Sequence, residues 1–525
     1  MSLSAQQQAI VNEGENGNSS MLIEALAGTG KTFTLLKLLA VLKGSSALTA
    51  FNYKIAQELD EKVNKEGLKA NVGTCHSYGF QAIRKAMPKV KIEGKGKDRA
   101  GFYKMDRIVT DLEIEPKMQR FVKEAISLAK QRAIGFLCPL NDPQAWLSLV
   151  SHYSLDELLF QTDDNNQYGK NEEIDPIERE LYTKRALQVA CKGLKMSIDL
   201  TVKEKVIDFD DMIYIPLILK MHVQQYDNVL VDEAQDTNPA RRALVKKMLK
   251  PGGRAIFVGD GNQAIYGFTG ADNDSLEIIK REFGCKTFPL TMTYRCAKAV
   301  VSVAQQFVPS YEAFHTNKDG SYEMINDDDF TAMMPELTPG EDAILCRNTK
   351  PLVDTAFRLI RQGIACRVEG KDIGKDLIRL IKKYERRCET MADMIECLEA
   401  YRNEETETLM AQGKEMAAES LNDRVDTILA IISYLSRNAE VADLINKIDE
   451  MFEDTPENEN PKTKVILMTI HRSKGLEFKR VFLYGRNKFC PSRYARQAWQ
   501  FQQERNLEYV GITRAIETLI DVTVF

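Results

Sequence analysis

The sequence predicts an α/β protein of two lobes, each built on a parallel sheet and each carrying a mainly helical insertion. Two clusters of short apolar runs, read as strands, are separated by more helical and charged material. The first cluster comprises 21–23, 47–50, 229–231 and 255–258, and the second comprises 343–345, 465–469, 481–484 and 519–524. At 525 residues the chain is too long for one hydrophobic core, so it should divide into several domains.

The insertions set the expected domain boundaries. The first lobe is expected at 1–80 and 201–288, with an inserted subdomain at 81–200; the second lobe is expected at 289–374 and 462–525, with a smaller inserted subdomain at 375–461. In the smaller insertion, Val425, Ile428, Leu429 and Ile432 recur at helical spacing. That spacing predicts an amphipathic helix packed on neighbouring helices.

Composition and cysteine usage exclude several classes of protein. No apolar run approaches membrane-spanning length and the N-terminus lacks a signal sequence, so a cytoplasmic protein with no membrane partner is expected. The ten cysteines contain no C-x-x-C pair, which argues against a disulfide framework, a zinc ribbon or an iron–sulfur cluster. A formal charge of −5 argues weakly against a nucleic-acid partner, although an acidic protein can carry a local basic channel.

The most informative segment is EALAGTGKT at 24–32, which follows an apolar run and opens a helix-like stretch. A Gly-rich turn there lets backbone N–H groups point at a polyphosphate, and the helix N-terminus adds partial positive charge. Lys31 would add a full charge and Thr32 a Mg²⁺ ligand. The residues expected to cradle the phosphates are Ala27, Gly28, Thr29, Gly30, Lys31 and Thr32. Ala25 stands at the first glycine of the common G-x-x-x-x-G-K-[ST] pattern.

A second apolar run, 228–231, ends in Asp232 and Glu233. It is typical of a buried parallel strand, whose C-terminal end is where ligands of open α/β sheets bind. Asp232 is predicted to hold Mg²⁺, directly or through water, and Glu233 to orient or deprotonate an attacking water. An acidic pair alone is more often a solvated strand end, but together with the phosphate-binding segment it indicates a nucleoside triphosphate site.

Further motifs follow in order along nearly the whole chain. They are LSAQQ at 3–7, AFNYKIAQEL at 50–59, GTCHS at 73–77, VGDGNQAIYGFTGA at 258–271, TYR at 293–295, MTIHRSKGLEF at 468–478 and ERNLEYVGITRA at 504–515. In this order they resemble the motifs of UvrD/Rep/PcrA-type helicases of superfamily 1A. The resemblance implies two RecA-like lobes, ATP and Mg²⁺ as cofactors, and 3′-to-5′ movement on DNA.

The resemblance also implies roles at the nucleotide. It places Gln7 on the adenine edge, Gln263 as a sensor of the γ-phosphate, Tyr294 against the adenine, Arg295 on the γ-phosphate, Glu477 near the ribose and Arg514 as an arginine finger at the lobe interface. An arginine so placed stabilises charge on the transferring phosphoryl group and can be worth about 10³–10⁵ in rate.

The remaining motifs imply a DNA-binding set. Its members are Phe51, Asn52, Thr74, His76, Tyr266, Phe268, Thr469 and His471, with Phe268 stacking on a base. Thr269 stands where the family usually has arginine. The expected partners are single-stranded DNA and junctions of single- and double-stranded DNA, and the isolated chain is expected to be a monomer. Two alternatives stay open: a translocase that strips proteins from DNA with little unwinding, and an ATP-switched, helicase-like subunit of a repair or defence complex.

Overall fold

The computed structural model describes residues 3–93, 103–153, 155, 159, 176–265, 275–388, 390–411, 415–436, 439–452, 463–493, 495 and 498–525. The chain divides into two compact units. The first contains Met1–Ala25 and Gly30–Leu290, and the second contains Leu26–Thr29 and Thr291–Phe525. Each unit has a six-stranded sheet in which all neighbouring strands are parallel, which confirms the predicted α/β class. Among the described helices, none is both long and apolar enough to cross a membrane.

The first unit combines a sheet with helices on both faces and a helical insertion. Its helices are α1 (Ala5–Asn16), α2 (Lys31–Val41), α3 (Tyr53–Lys65), α4 (Cys75–Ala86), α5 (Lys104–Asp111), α6 (Pro116–Gln131), α7 (Pro143–Tyr153), α8 (Pro176–Glu204), α9 (Asp211–Ile218), α10 (Pro239–Met248) and α11 (Ser275–Phe283). Its strands are β1 (Met21–Ala25), β2 (Ser46–Ala50), β3 (Asn71–Thr74), β4 (Lys91–Ile92), β5 (Val206–Ile207), β6 (Tyr226–Val231), β7 (Leu249–Gly259) and β8 (Lys286–Leu290).

The main sheet of the first unit has the order β3-β2-β6-β7-β1-β8. Successive side chains of its central strands enter opposite layers of the core, as the two-residue period of a strand requires. Val229 and Phe257 pack into one hydrophobic cluster, and Leu230 and Ile256 pack into the other. Because helices cover both faces, these strands are apolar throughout.

The second unit has its own sheet and its own helices. Its strands are β9 (Met292–Thr293), β10 (Glu312–Ala313), β11 (Ser321–Asn326), β12 (Asp342–Cys346), β13 (Cys366–Val368), β14 (Val465–Thr469), β15 (Phe478–Tyr484) and β16 (Ala515–Thr523). Its helices are α12 (Lys298–Ala304), α13 (Asp327–Met333), α14 (Thr349–Arg361), α15 (Lys371–Tyr384), α16 (Met391–Ala411), α17 (Glu415–Ser433), α18 (Val441–Met451), α19 (Arg486–Phe489) and α20 (Ala498–Ile512). The main sheet has the order β11-β16-β15-β12-β14-β13.

Helices α15 to α18 form most of the segment predicted as the smaller insertion. Val425, Ile428 and Ile432 are buried on α17, as their helical spacing predicts, and they share one hydrophobic cluster with residues of β12 and β14. Leu429, the fourth residue of the predicted face, is partly buried against the same cluster. The predicted domain boundaries remain predictions. One of them, after residue 80, falls inside α4, and another, before residue 375, falls inside α15.

The sequence patterns located the inner strands of both sheets but not the outer ones. The eight predicted strands correspond to β1, β2, β6, β7, β12, β14, β15 and β16, which occupy the inner positions of the two sheets. The four strands of these two sheets that the patterns missed, β3, β8, β11 and β13, lie at the edges. Edge strands are less buried: Glu323 and Met324 of β11 and Lys286 of β8 are exposed. Their sequences therefore lack the continuous apolar run of a strand buried on both faces.

A buried ionic cluster joins the insertion of the first unit to the start of α9. Lys104 of α5 lies 2.5 Å from Asp211, and Lys130 of α6 lies 2.8 Å from Asp211 and also pairs with Asp208. Burial by itself lowers the pKa of Lys130, but the carboxylates of Asp211 and Asp208 outweigh burial and hold this pKa above its ordinary value. The cluster fixes the turn at 208–211, since Asp208 and Asp211 also accept each other's backbone N–H.

We expect Lys130→Met to lower the free energy of unfolding by about 3–5 kcal/mol, because it leaves buried carboxylates without one of their partners. Lys123→Met is the matched control: Lys123 lies on the same helix, and its pair with Asp106 is exposed, so the loss should stay within about 1 kcal/mol. Urea unfolding of both variants measures the difference. Equal decreases in the free energy of unfolding would show that the buried cluster stabilises the fold no more than the exposed pair does.

Candidate nucleotide and nucleic-acid sites

The turn between β1 and α2 has the geometry that an anion-binding loop needs. Gly28 and Gly30 both adopt positive φ, 68° and 82°, a region that side chains disfavour. No side chain caps the N-terminus of α2, so its first N–H groups and the positive end of the helix dipole are available to a phosphate. The predicted phosphate ligands Lys31 and Thr32 occupy the first two positions of this helix.

Ala25 replaces the first glycine of the common pattern without disturbing the turn. It is the last residue of β1, it is fully buried, and it is not among the residues with positive φ. A methyl group therefore fits at this position, whereas Gly28 and Gly30 keep the conformations that favour glycine.

The acidic pair follows β6 directly, as predicted. Asp232 is half-buried, and its backbone N–H donates to the Thr49 carbonyl oxygen at 2.9 Å. Burial and then the nearby charge of Glu233 raise the pKa of Asp232 to about 7, against the lowering effect of Lys31. Glu233 has a φ of 51°, and such strain in a residue other than glycine is concentrated at functional sites.

The residues present fit a Mg²⁺ ion. The Oδ1 atom of Asp232 is buried and has no hydrogen-bond partner, so it is a carboxylate oxygen that a cation would satisfy. Across the described ranges there is no group of three or more His, Cys, Asp or Glu that could hold a metal by itself. Mg²⁺ bound with a nucleotide does not need such a group, because it takes one or two protein ligands and completes its shell with waters and phosphates.

A chain of buried hydrogen bonds connects Glu233 to Gln263. The Gln235 side chain donates to Glu233 and accepts from the Asp260 N–H at 3.1 Å, and Gln263 Nε2 donates to Asp260 Oδ2 at 2.7 Å. Gly259 leaves room for this chain, since a Cβ there would lie 2.5 Å from Gln235 Oε1. Gln235 and Asp260 had no role predicted from sequence, although Gln235 lies two residues after Glu233 and Asp260 lies within the motif at 258–271.

The predicted nucleotide residues of the second unit lie close to one another. Arg295 Nε lies 2.5 Å from Glu477 Oε2, so Glu477 has an arginine partner. Arg514 is buried and donates to the carbonyl oxygens of Val510 and Leu476, both at 3.0 Å. Burial, and then the charge of Arg295, lower the pKa of Arg514 to about 10. Two neighbouring guanidinium groups, one of them buried, would be stabilised by a phosphate.

Residues 26–29, the tip of the phosphate-binding turn, belong to the second unit. The Ala27 N–H donates to the Tyr509 hydroxyl at 3.2 Å, and the Tyr294 N–H donates to the Gly28 carbonyl oxygen at 2.9 Å. A Cβ on Gly28 would lie 2.6 Å from the Cβ of Arg295, so no larger residue fits there. Tyr294 and Arg295 therefore lie beside residues 26–29 within the second unit, and their roles at the nucleotide stay predictions.

Two further residues predicted to bind the nucleotide, Thr29 and Gln7, have hydrogen-bond partners within the protein. Thr29 is buried, and its hydroxyl donates to the Leu26 carbonyl oxygen at 2.8 Å. Gln7 is buried on α1, where its Oε1 accepts the Ser4 N–H at 3.0 Å. The Nε2 of Gln7 would be 3.3 Å from a Cβ on Gly30, so this side chain lies beside the turn.

Two family models match the chain in sequence order. The one described as UvrD/REP helicase N-terminal domain matches residues 3–284, and the one described as UvrD-like helicase C-terminal domain matches residues 268–523. The chain belongs to the UvrD/Rep helicase family. The two six-stranded parallel sheets are accordingly those of two RecA-like lobes, as predicted.

Relatives of the same kind cover most of the chain. It is 25% identical to "ATP-dependent DNA helicase UvrD1" of Mycobacterium tuberculosis over 98% of this chain and 81% of that protein. It is 22% identical to "Probable DNA helicase II homolog" of Mycoplasma genitalium over 98% of this chain and 83% of that protein. The identity to "DNA helicase IV" of Escherichia coli is 27%, over 58% of this chain and 46% of that protein.

In this UvrD/Rep-family protein, two predicted DNA residues of the first unit line a cavity of about 250 Å³. Phe51 and His76 share it with Phe209 and Arg241, neither of which the sequence analysis singled out. Phe209 stacks on His76 with ring centroids 3.9 Å apart, yet it is 63% exposed, and Arg241 lies over the Phe51 ring at 5.2 Å. A phenylalanine flanked by acidic residues, in the segment DFDD at 208–211, was the available signal for Phe209.

Other predicted DNA residues act as helix caps or lie outside the described residues. Asn52 caps α3 through a bond from the Ile55 N–H at 2.9 Å, and Thr74 caps α4 through a bond from the Ser77 N–H at 3.1 Å. These side-chain oxygens therefore have structural partners. Tyr266, Phe268 and Thr269 lie outside the described residues.

The remaining pair lies at the C-terminal end of β14 in the second unit, where Thr469 is the last residue of the strand and His471 follows it. Burial and then Arg347 lower the pKa of His471 to about 4, so its imidazole is neutral at pH 7. Arg347 donates to both carboxylate oxygens of Glu504 at 2.8 Å and lies 2.9 Å from Glu419 of α17. The sequence analysis did not identify Arg347, whose partners are distant in sequence.

We expect the first unit to become less stable as the pH is lowered below about 6.5, partly because of His76. Burial and then Arg241 lower its folded pKa to about 3, below the ordinary value of 6.5. Between those values the unfolded state binds the proton and the folded state does not, so stability decreases as pH falls from about 6.5, by up to about 1.4 kcal/mol per pH unit.

Unfolding measured from pH 7 to pH 4.5 should show a shallower dependence in His76→Gln than in the wild type. His222→Gln is the control, because His222 is an exposed histidine of the same unit, and it should leave the wild-type slope in place. An unchanged slope in His76→Gln would contradict this account of the buried imidazole.

Proposed function

We propose that this ATP-dependent DNA helicase of the UvrD/Rep family moves 3′ to 5′ along single-stranded DNA, hydrolysing ATP with Mg²⁺ between its two RecA-like lobes. The observation that carries the proposal is the buried hydrogen-bond chain from Glu233 through Gln235 and Asp260 to Gln263. It joins the proposed water-activating carboxylate to the proposed γ-phosphate sensor. The names of the relatives support DNA as the substrate, and that of the Mycobacterium tuberculosis protein supports ATP as the energy source.

Each proposed catalytic residue would meet a different part of the triphosphate. Lys31 would neutralise phosphate charge and Thr32 would join Asp232 at the Mg²⁺ ion, which supplies charge stabilisation when bound. Glu233 would orient or deprotonate the attacking water. The guanidinium groups of Arg295 and Arg514 would stabilise charge as the γ-phosphoryl group transfers, which is where such groups contribute most to rate.

Hydrolysis would drive movement by changing which state of the enzyme is favoured. Bound triphosphate favours the state in which both lobes contact it, and loss of the γ-phosphate removes that preference. If the two lobes hold the strand with different strengths in the two states, repeated cycles give directed steps. The proposed contacts are His76 with Phe51 and Phe209 in the first unit, and Thr469 with His471 in the second.

We expect Lys31→Ala and Glu233→Gln to abolish ATP turnover measured with single-stranded DNA present. Glu233→Gln should still bind ATP, because it removes the activating carboxylate and not the phosphate ligands. Lys37→Ala is the matched control: Lys37 is an exposed lysine of the same helix, and its pair with Glu66 is also exposed, so its turnover should equal that of the wild type. Substantial hydrolysis by either site variant would reject the assignment.

We expect strand displacement from duplexes with a 3′ single-stranded tail and little from duplexes with a 5′ tail. Gel assays with both substrates and ATP measure this polarity. The Glu233→Gln variant, which should bind the same DNA, serves as the control for displacement without hydrolysis. Displacement from the 5′ tail alone would contradict the proposed direction.

Two other outcomes would favour the alternative functions. Removal of a bound protein from single-stranded DNA without unwinding would indicate a protein-displacing translocase. DNA binding that responds to ATP, with no DNA-stimulated turnover, would indicate an ATP-switched subunit of a larger complex.

A further inference from the structure

Ala27, in the tip of the phosphate-binding turn, is held on both sides by tyrosine hydroxyls. The Tyr311 hydroxyl donates to the Ala27 carbonyl oxygen at 2.9 Å, and the Tyr509 hydroxyl accepts the Ala27 N–H at 3.2 Å. All three residues belong to the second unit, because residues 26–29 group with it. Since a peptide group is planar, the two bonds constrain both of the peptide planes that flank Ala27.

The two tyrosines are themselves fixed in place by their surroundings. Both are fully buried, and their rings pack edge to face with centroids 5.9 Å apart. Burial raises the pKa of Tyr311 well above its ordinary value, so its hydroxyl keeps the proton that it donates. The rings fill the core, as phenylalanine would, while the hydroxyls act on the turn. Ala27 is buried as well, so its backbone groups have no water to replace a lost partner.

The bond from Tyr311 also sets the direction of the next N–H group. In a trans peptide the C=O and the following N–H point in opposite directions, so the Gly28 N–H points away from the Tyr311 hydroxyl. Gly28 is half-buried, and among the described residues its N–H has no hydrogen-bond partner. A glycine with a φ of 68° has wide conformational freedom, so the orientation of this N–H depends on the neighbouring bonds. An N–H that is both oriented and unpaired suits a phosphate oxygen.

We propose that Tyr311 and Tyr509 are positioning residues for the nucleotide, because they hold the turn in the shape in which its N–H groups meet the phosphates of ATP. A turn that has this shape for only part of the time binds with an apparent affinity that is lower in proportion. Once ATP is bound, its phosphates hold the turn themselves, so the chemical step does not depend on the hydroxyls. The inference rests on the proposed function, since it concerns the proposed phosphate-binding turn.

The test is ATP hydrolysis by the full chain with single-stranded DNA, measured for Tyr311→Phe and Tyr509→Phe, each of which removes one hydroxyl and keeps the ring. Each variant should raise KM for ATP about fivefold, the factor that corresponds to one typical hydrogen bond, while kcat stays within about twofold. The Kd for ADP without DNA should rise by the same factor. Tyr484→Phe is the matched control: its hydroxyl donates to Asp327 in the same unit at 2.8 Å, and this variant should keep the wild-type KM.

Three results would overturn the inference. An unchanged KM and an unchanged Kd for ADP, whatever the Tm of the variant, would leave the hydroxyls with a structural role alone. A lower KM would show that they hold the turn in a shape that opposes ATP. A loss confined to kcat would place their effect in the chemical step. A wild type that binds neither ATP nor ADP would reject the proposed function itself, which is a different outcome. Because each hydroxyl holds the turn from its own side, either variant suffices if the other fails to fold.

Discussion

Parallel pairing of β1, β6 and β7 is the constraint on which the proposed nucleotide site depends. These strands are neighbours in the order β6-β7-β1, so their carboxyl ends meet at one edge of the sheet. The phosphate-binding turn follows β1, Asp232 follows β6 and Asp260 follows β7. Groups more than 200 residues apart in sequence therefore act on one another, as the effect of Lys31 on the pKa of both carboxyl groups shows.

Burial gives this edge its chemical character. Asp260 is buried and Asp232 is half-buried, and burial is the largest cause that raises the pKa of each carboxyl group. The hydrogen-bond chain from Glu233 to Gln263 gives partners to some of the polar side chains at this edge, while Asp232 Oδ1 has no hydrogen-bond partner. Buried polar networks specify one arrangement when their members are paired, and the unpaired member is the one that a cation would complete.

Ionic clusters connect the helical insertions to the proposed DNA contacts. In the first unit Lys104 and Lys130 hold the turn that carries Phe209. In the second unit Arg347 contacts both Glu419 of α17 and Glu504 of α20, and its charge acts on His471. Each insertion thus reaches the neighbourhood of a proposed DNA contact through buried charges, which have fewer alternative positions than exposed ones because moving them unpaired is costly.

The sequence by itself determined the α/β class, the inner strands of both sheets and the phosphate-binding turn with its acidic partner. These features are local: a strand buried on both faces is apolar along its length, and a turn that needs positive φ requires glycine. Only the tertiary structure decided which strands form the edges, that Asn52 and Thr74 cap helices, and that Phe209 and Arg241 share a cavity with Phe51 and His76. Those outcomes depend on tertiary contacts between residues that are distant in sequence, and a local sequence pattern does not specify such contacts.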